Sequence, residues 1–162
     1  MWRLLFVLVG FFGVTPAEAR CQGTPATKDA VKEEKSRLQG MWVCTKVSFN
    51  GRTLDATDEK QVPRPMTVTF DGDKIVFAQG EGKGPGWTYK IDPSKKPKAI
   101  DMTITEGRRD DDKGKELHGI YELTKDGLKW CTSEPGGTDR PKEFSTKEGT
   151  RELFVTLKKE KP

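Results

Sequence analysis

Histidine occurs once and cysteine three times in the 162 residues of this chain. A single imidazole cannot build a zinc site from His ligands, and three cysteines are too few for a small disulfide-stabilised fold. Beyond the first residues there is no long apolar run, which excludes a protein with several membrane-spanning helices. The length suits one domain. With one His and three Cys the chain has few residues of the types that commonly catalyse reactions, and we expect a protein that is not an enzyme.

The N-terminus is predicted to be a signal peptide. Arg3 supplies a positive charge, residues 4–14 form an apolar run, and Ala17-Glu18-Ala19 has small residues at the spacing of a cleavage site. The run is shorter than the roughly 20 residues that span a bilayer. We expect cleavage after Ala19 and an exported mature chain, periplasmic or extracellular, that does not span a membrane. The alternative is an uncleaved N-terminal anchor.

Charged residues are numerous but nearly balanced. Lys and Arg number 29 and Asp and Glu number 25, which gives a formal net charge of +4. The two signs alternate through residues 28–37 and 108–116, a pattern typical of a solvated surface and not of a nucleic-acid-binding stripe. We expect a monomer with no nucleic-acid partner.

One helix and about eight strands are predicted. Residues 27–38 form the helix, because Thr27 can cap its start and Gly40 follows its end. From Trp42 onward apolar residues recur at every second position, the period of a strand with one buried face. Asn50-Gly51 is a strong hairpin turn. The predicted strands cover residues 42–49, 66–70, 74–77, 87–91, 100–104, 117–123, 128–132 and 153–157.

Short strands joined mainly by turns indicate an all-β fold, an antiparallel up-and-down barrel of about eight strands with one N-terminal helix. Closure into a barrel also removes the exposed strand edges of an open sheet. The expected organisation is a signal peptide over residues 1–19, an N-terminal segment and helix over residues 20–36, and the barrel domain over residues 37–159.

Two connections between the predicted strands are unusual. Residues 80–86 contain four glycines, and we expect a flexible loop there. Pro85 and the strand pattern that follows do not suit a phosphate-binding loop. Residues 133–151 form a long connection before the last strand, and loops of this length are usually functional or disordered. Phe144 is expected to anchor that loop by plugging one end of the barrel.

Six segments, taken in order, resemble one family. They are Leu38-Gln39-Gly40-Met41-Trp42, Phe49-Asn50-Gly51, residues 95–101, Gly119-Ile120-Tyr121-Glu122-Leu123, Leu128-Lys129-Trp130-Cys131 and Arg140-Pro141-Lys142-Glu143-Phe144. The family is a small lipocalin-like domain of unknown function, abundant as paralogues in planctomycete bacteria. The resemblance covers residues 37–158 and implies a lipocalin-like barrel with an exported or envelope location. It implies no ligand and no catalytic residue. Met41 replaces the family's usual Thr.

Local patterns that resemble metal or catalytic sites fail on their spacing or surroundings. Asp110-Asp111-Asp112 lacks the ligand alternation of an EF-hand loop and is expected to be solvated. His118 could pair with Cys44 or Cys131, but neither cysteine has an evident electropositive environment that would create a thiolate. We expect no catalytic residue, no metal and no cofactor.

The pairing of Cys21, Cys44 and Cys131 stays open. Any single bridge leaves one cysteine over. Cys44 and Cys131 lie on the first and seventh of eight predicted strands, so a direct bridge between them would need a distortion of the barrel. Cys21 could instead link the N-terminal segment to the barrel through a disulfide, and buried free thiols are a further alternative.

Inward-facing aromatic and Met side chains suggest that the barrel binds a small apolar ligand. The candidate lining residues are Trp42, Met66, Phe70, Trp87, Tyr89, Met102, Tyr121 and Trp130. The same side chains could instead fill the barrel as its core. A second hypothesis is a protein-interaction or inhibitor module that uses the N-terminal segment and residues 133–151 to bind an extracytoplasmic protein.

Trp42 is predicted to close the floor of the barrel. Its indole should be buried, the helix that ends at Leu38 should pack nearby, and Lys158 or Lys159 should lie across the ring face. We expect Trp42 to contribute far more to stability than Arg151, which begins the last strand as an exposed charge.

Overall fold

The computed structural model of the chain describes residues 26–107 and 109–160. The predicted signal peptide at residues 1–19, Cys21 and the start of the N-terminal segment lie outside these residues.

One α-helix precedes nine strands in the described part of the chain. The helix α1 spans Lys28–Leu38. The strands are β1 (Gly40–Phe49), β2 (Arg52–Asp55), β3 (Met66–Asp71), β4 (Lys74–Gln79), β5 (Gly82–Asp92), β6 (Lys98–Glu106), β7 (Glu116–Leu123), β8 (Gly127–Thr132) and β9 (Leu153–Lys159). A short 3₁₀ turn at Asp110–Asp112 lies between β6 and β7.

The strands form a closed antiparallel barrel. From β3 to β9 each strand pairs with its neighbour in sequence, and β1 pairs with both β3 and β9. The prediction of an eight-stranded all-β barrel with one helix is therefore confirmed. The strand outside the eight-stranded barrel is β2, which pairs only with the second half of β1. It was not predicted, because all four of its residues are exposed and it has no apolar alternation.

The helix α1 covers one end of the barrel, called here the helix end. Thr27 caps it as predicted, since its Oγ1 accepts a hydrogen bond from the Ala30 N–H at 3.3 Å. Leu38 and Glu34 are buried against the barrel, and Val31 packs at the edge of the core. Ala56 and Val62, in the connection between β2 and β3, are buried against the core from the opposite end, called the loop end. Chain segments thus cover both ends.

The glycine-rich segment is mostly strand and not the flexible loop that was expected. β5 begins at Gly82, which pairs with Gln79 of β4. At Gly84 a Cβ atom would overlap the carbonyl oxygen of Phe77, so β4 and β5 approach too closely there for any side chain. The glycines of this segment allow the two strands to approach closely. The expectation of a flexible loop was wrong because it rested on the glycine content alone.

Residues 133–151 fold along the outer wall of the barrel, and Phe144 does not plug an end. Its ring contacts that of Phe154 with 6.0 Å between centroids. Phe154 ends an outward-facing row that runs across β6 to β9 through Ala99, Ile120 and Cys131. These three residues are at most 5% exposed. Phe144 therefore anchors the loop as expected, but on the wall and not at an end, because this part of the outer wall is apolar and needs cover.

Candidate functional site

All eight predicted lining residues lie at inward-facing positions of the barrel. Seven of them are buried and Met66 is half-buried. The register explains this, because Phe70, Trp87, Tyr89, Met102, Tyr121 and Trp130 all share the face of the apolar core on their strands. Ligand binding by these residues stays a hypothesis.

Aromatic rings occupy the middle of the lumen. The Trp130 ring on β8 contacts the rings of Phe77, Trp87 and Phe70, with centroids 5.6, 5.8 and 6.1 Å away. Phe70 also meets Tyr89 edge-on at 5.4 Å. Trp130 therefore bridges the barrel from one wall to the other. Phe77 was not among the predicted lining residues, although its position in the strand pattern of β4 could have identified it.

Four buried polar side-chain atoms have no hydrogen-bond partner among the described residues. They are Trp87 Nε1, Trp130 Nε1, Tyr121 Oη and Thr132 Oγ1. Burial raises the pKa of the Tyr121 phenol, and the negative charge of Glu34 on α1 raises it further. The phenol stays neutral, so it cannot act as a base. Thr132 was not predicted as an inward-facing polar group.

Trp42 lies at the helix end as predicted. Its indole is 0% exposed, and its N–H donates to the carbonyl oxygen of Leu38 at 2.8 Å. The ammonium of Lys159 lies 5.1 Å from the ring centroid and also donates to the Arg37 carbonyl at 2.8 Å. These contacts confirm the predicted closure of the barrel floor, with Lys159 in the expected role.

Two further lysine–aromatic contacts hold the helix over this end. Lys35 lies over the Tyr89 ring at 5.1 Å and pairs with Asp73, and Lys98 lies over the Tyr121 ring at 5.8 Å and pairs with Glu34. The Tyr89 hydroxyl accepts a hydrogen bond from Gln39 Nε2 at 3.1 Å. Each lysine ammonium thus pairs with a carboxylate and lies over a tyrosine ring, which allows charged residues to pack against an apolar end of the barrel.

The outer wall carries a polar cluster of Asp101, His118 and Arg140. Asp101 Oδ1 lies 2.7 Å from both His118 Nδ1 and Arg140 Nη2. Arg140 Nη1 also donates to the carbonyls of Gly119 at 2.6 Å and Ile100 at 3.2 Å. The cluster therefore fastens the long loop to β6 and β7.

This cluster lacks the parts of a nucleophilic site. Ser133 Oγ accepts a hydrogen bond from the His118 backbone N–H and not from the ring. Burial raises the pKa of Cys131 to about 11, and the nearby Glu152 carboxylate contributes. The thiol is thus protonated at neutral pH and donates to the carbonyl of Ser145 at 3.2 Å. Among the residues that the structure describes, the arrangement positions an imidazole but pairs it with no nucleophile.

Both cysteines in the described residues are free and buried. Cys44 faces the lumen on β1, whereas Cys131 faces outward on β8 beneath the long loop, so the barrel wall separates them. Burial also raises the pKa of Cys44 to about 11. Of the two possibilities left open by the sequence, buried free thiols hold for this pair, and Cys21 lies outside the described residues.

Asp110 and Asp111 of the acidic turn are exposed, as expected for a solvated loop, but Asp112 forms ion pairs. Asp112 is buried, and its carboxylate bonds Arg151 Nη2 at 2.7 Å and Lys115 Nζ at 3.0 Å. The hydrogen bond from Arg151, followed by that from Lys115, lowers the pKa of Asp112. Arg151, expected to be a free surface charge, thus ties the start of β9 to the connection between β6 and β7.

The long loop encloses an open groove of about 650 Å³ on the outer wall, lined by residues 138–143 together with Ser145, Lys147 and Glu152. Asp139, Lys142 and Glu143 are exposed there. A second shallow depression of about 520 Å³ runs along the outward faces of β5 to β7 beside Asp101 and His118. Both have mixed charge and lie outside the barrel.

Comparison with family models, with curated proteins and with solved structures finds no match to this chain. In the described ranges no helix is both long and apolar enough to cross a membrane. Nor does the described part of the chain contain three or more His, Cys, Asp or Glu side chains grouped to hold a metal ion.

Proposed function

We propose that this chain is an exported, non-enzymatic barrel protein that binds an extracytoplasmic partner protein through the outward face of residues 133–151. The observation that carries the proposal is the fixed attachment of this loop. Arg140, Cys131 and Phe144 each tie it to the wall, and the attached loop leaves an open groove with exposed side chains. Long loops held in one shape by a rigid scaffold commonly carry binding functions.

The interior favours a scaffold over a container for a large apolar ligand. The rings of Phe70, Phe77, Trp87 and Trp130 contact one another across the lumen, and chain segments cover both ends. Aromatic burial of this kind mainly contributes to stability. The resemblance to the lipocalin-like family supports an exported barrel and leaves its partner open.

Two polar triplets allow a charge-matched test. Asp139, Lys142 and Glu143 are exposed beside the groove, and Asp71, Lys74 and Glu81 are exposed around β4 on the opposite side of the barrel. Replacing each triplet by serine removes the same three charges. The wild-type chain and both variants are used as bait for extracytoplasmic proteins of the source organism, and each captured protein is then purified for affinity measurement.

We expect the wild-type chain and the opposite-side variant to bind one partner with equal Kd, and the loop variant to bind it at least about tenfold more weakly. Equal affinity for all three chains would place the contact elsewhere. Failure of the intact chain to bind any purified candidate would contradict the proposed function.

A further inference from the structure

The one histidine of the chain lies at the contact that fastens the long loop, residues 133–151, to the barrel wall. His118 Nδ1 and Arg140 Nη2 each lie 2.7 Å from the same oxygen, Oδ1 of Asp101. An ionised carboxylate only accepts hydrogen bonds, so both nitrogens carry a proton and donate to it. The imidazole and the guanidinium are therefore close neighbours, because their two donor nitrogens are separated by at most twice this distance.

Protonation of His118 changes the charge balance at this contact. With Nδ1 as the donor, the neutral ring has its free lone pair on Nε2, and acid adds the second proton there. The side chain is 28% exposed and lines the shallow depression on β5 to β7, so protons from solvent can reach it. Histidine is the side chain whose charge ordinarily changes between pH 5 and pH 8. Across this range the Asp101 carboxylate passes from facing one cation, Arg140, to facing two.

The other charged groups around His118 balance one another. They line the same depression and are Lys90 on β5, Glu116 on β7, Lys35 on α1 and Asp73 between β3 and β4. Lys35 and Asp73 pair with each other, and Lys90 and Glu116 are exposed and opposite in sign. On the remaining side the backbone of His118 bonds that of Ser133, which carries no charge. A second positive charge on this side of the wall is therefore felt mainly by Arg140.

The imidazolium and the guanidinium compete for one anion. An imidazolium neutralises Asp101 by itself and repels the nearby guanidinium, so Arg140 is held less strongly. The coupling is reciprocal, because an attached Arg140 opposes protonation by the same free energy by which protonation opposes attachment. Arg140 makes three hydrogen bonds from the loop to β6 and β7. We infer that protonation of His118 loosens residues 133–151 from the wall and thereby weakens partner binding in mild acid. The statement about binding rests on the proposed function, whereas the statement about the loop does not.

Amide hydrogen exchange of the free chain at pH 5 and pH 8 tests the loop. Each rate is divided by the rate of an unstructured peptide at the same pH, so that the quotient reports opening alone. Both pH values lie above the range, about 4, in which carboxylates ordinarily titrate. His118→Asn is the matched variant, because its side-chain amide also donates a hydrogen bond but does not titrate. Peptides from residues 66–79, on the opposite side of the barrel, are the internal reference.

We expect residues 138–147 of the wild-type chain to open roughly threefold to fivefold more at pH 5 than at pH 8, since repulsion between partly exposed charges is screened. His118→Asn should open equally at both values. Arg140→Ala should show no pH difference either, because the cation that His118 repels is gone. No pH difference in the wild-type chain, or the same difference in His118→Asn, overturns the inference.

The affinity for the purified partner tests the statement about binding. The ratio of the wild-type Kd to the His118→Asn Kd cancels any titration of the partner itself, and it should rise at least about twofold from pH 8 to pH 5. A loop that opens in acid together with a constant ratio overturns the inferred control of binding. Failure of the intact chain to bind at either pH contradicts the proposed function, whereas the exchange measurement still decides whether His118 controls the loop.

Discussion

At the scale of single residues, Trp42 shows how one side chain joins the helix to the barrel. Its ring is buried in the core, its N–H bonds the last residue of α1, and Lys159 from β9 covers its face. Hydrophobic burial dominates these contributions, since a buried Trp removes roughly 150–250 Å² from water. The neighbouring hydrogen bond and cation–π contact fix the orientation of the indole.

Trp42→Ala is expected to lower the free energy of unfolding by about 3–5 kcal/mol, because it removes a large core side chain and leaves its hydrogen-bond acceptor unpaired. Phe49→Ala is the control, since Phe49 lies on the same strand but is 52% exposed. Urea unfolding of both variants measures the effect. Similar midpoints for the two variants would show that Trp42 does not close the barrel.

Burial protects both described thiols. Raising the pKa from 9.0 to about 11 lowers the thiolate fraction about a hundredfold at neutral pH. In a Cys21→Ser background, Cys44 and Cys131 should therefore react with a disulfide reagent at least about a hundredfold more slowly in the folded chain than in urea. Rapid labelling of Cys131 alone would instead mean that the long loop opens readily.

At the scale of elements, Arg140 determines how the long loop lies on the wall. Its three hydrogen bonds reach β6 and β7, while Phe144 and the Ser145 carbonyl contact the outward faces of β9 and β8. The loop covers Ile120 and Cys131, which would otherwise expose an apolar surface. Both the apolar residues on the outward face of the wall and the hydrogen bonds of Arg140 therefore hold the loop in place.

Arg140→Ala should speed amide exchange in peptides covering residues 138–147 by roughly tenfold, since hydrogen bonds from a charged group contribute about 1.5–3 kcal/mol and this one is partly exposed. Glu143→Ala is the control, because Glu143 is exposed and makes no side-chain hydrogen bond among the described residues. Equal exchange in the two variants would mean that the apolar contacts alone hold the loop.

Gly84 sets the distance between β4 and β5. A methyl group there would overlap the Phe77 carbonyl, whereas at Gly82 the nearest atom to an added Cβ is 3.4 Å away. Gly84→Ala should cost about 1–3 kcal/mol of unfolding free energy through strain, and Gly82→Ala should cost clearly less. Equal unfolding midpoints would show that β5 shifts freely away from β4.

The alternation of apolar residues was sufficient to locate the eight barrel strands, because a half-buried strand repeats its environment every two residues. The helix was located by its capping residue Thr27 and by Gly40 after its end. The alternation did not reveal β2, whose residues are all exposed. It also did not show that Ile120 and Cys131 are covered, since both faces of β7 and β8 are buried there. The Asp112–Arg151 pair joins residues far apart in sequence, and only the closed barrel brings them together.

At the scale of the whole molecule, stability should fall at both extremes of pH, because carboxylates gain protons in acid and thiols lose them in alkali. Hydrogen bonds and nearby cations lower the pKa of Asp73 and Asp112 in the folded chain below 3.8. Their stabilisation is complete above that value and is lost as pH falls through the lower folded pKa. Burial raises the pKa of both thiols, so their contribution is complete below pH 9 and is lost as pH rises towards 11.

Urea unfolding between pH 2 and pH 11 should therefore show a neutral plateau with a fall on each side. Asp112→Asn keeps the shape of the side chain but removes its titration and its charge-assisted bonds to Arg151 and Lys115. The variant should be less stable than wild type on the plateau. The difference should shrink as pH falls below 3.8 and through the lower folded pKa of Asp112, because wild-type Asp112 then becomes neutral as well. Asp111→Asn is the control, since Asp111 is exposed. A difference between Asp112→Asn and wild type that stays constant down to pH 2 would show that the pair does not stabilise the folded chain through its charge.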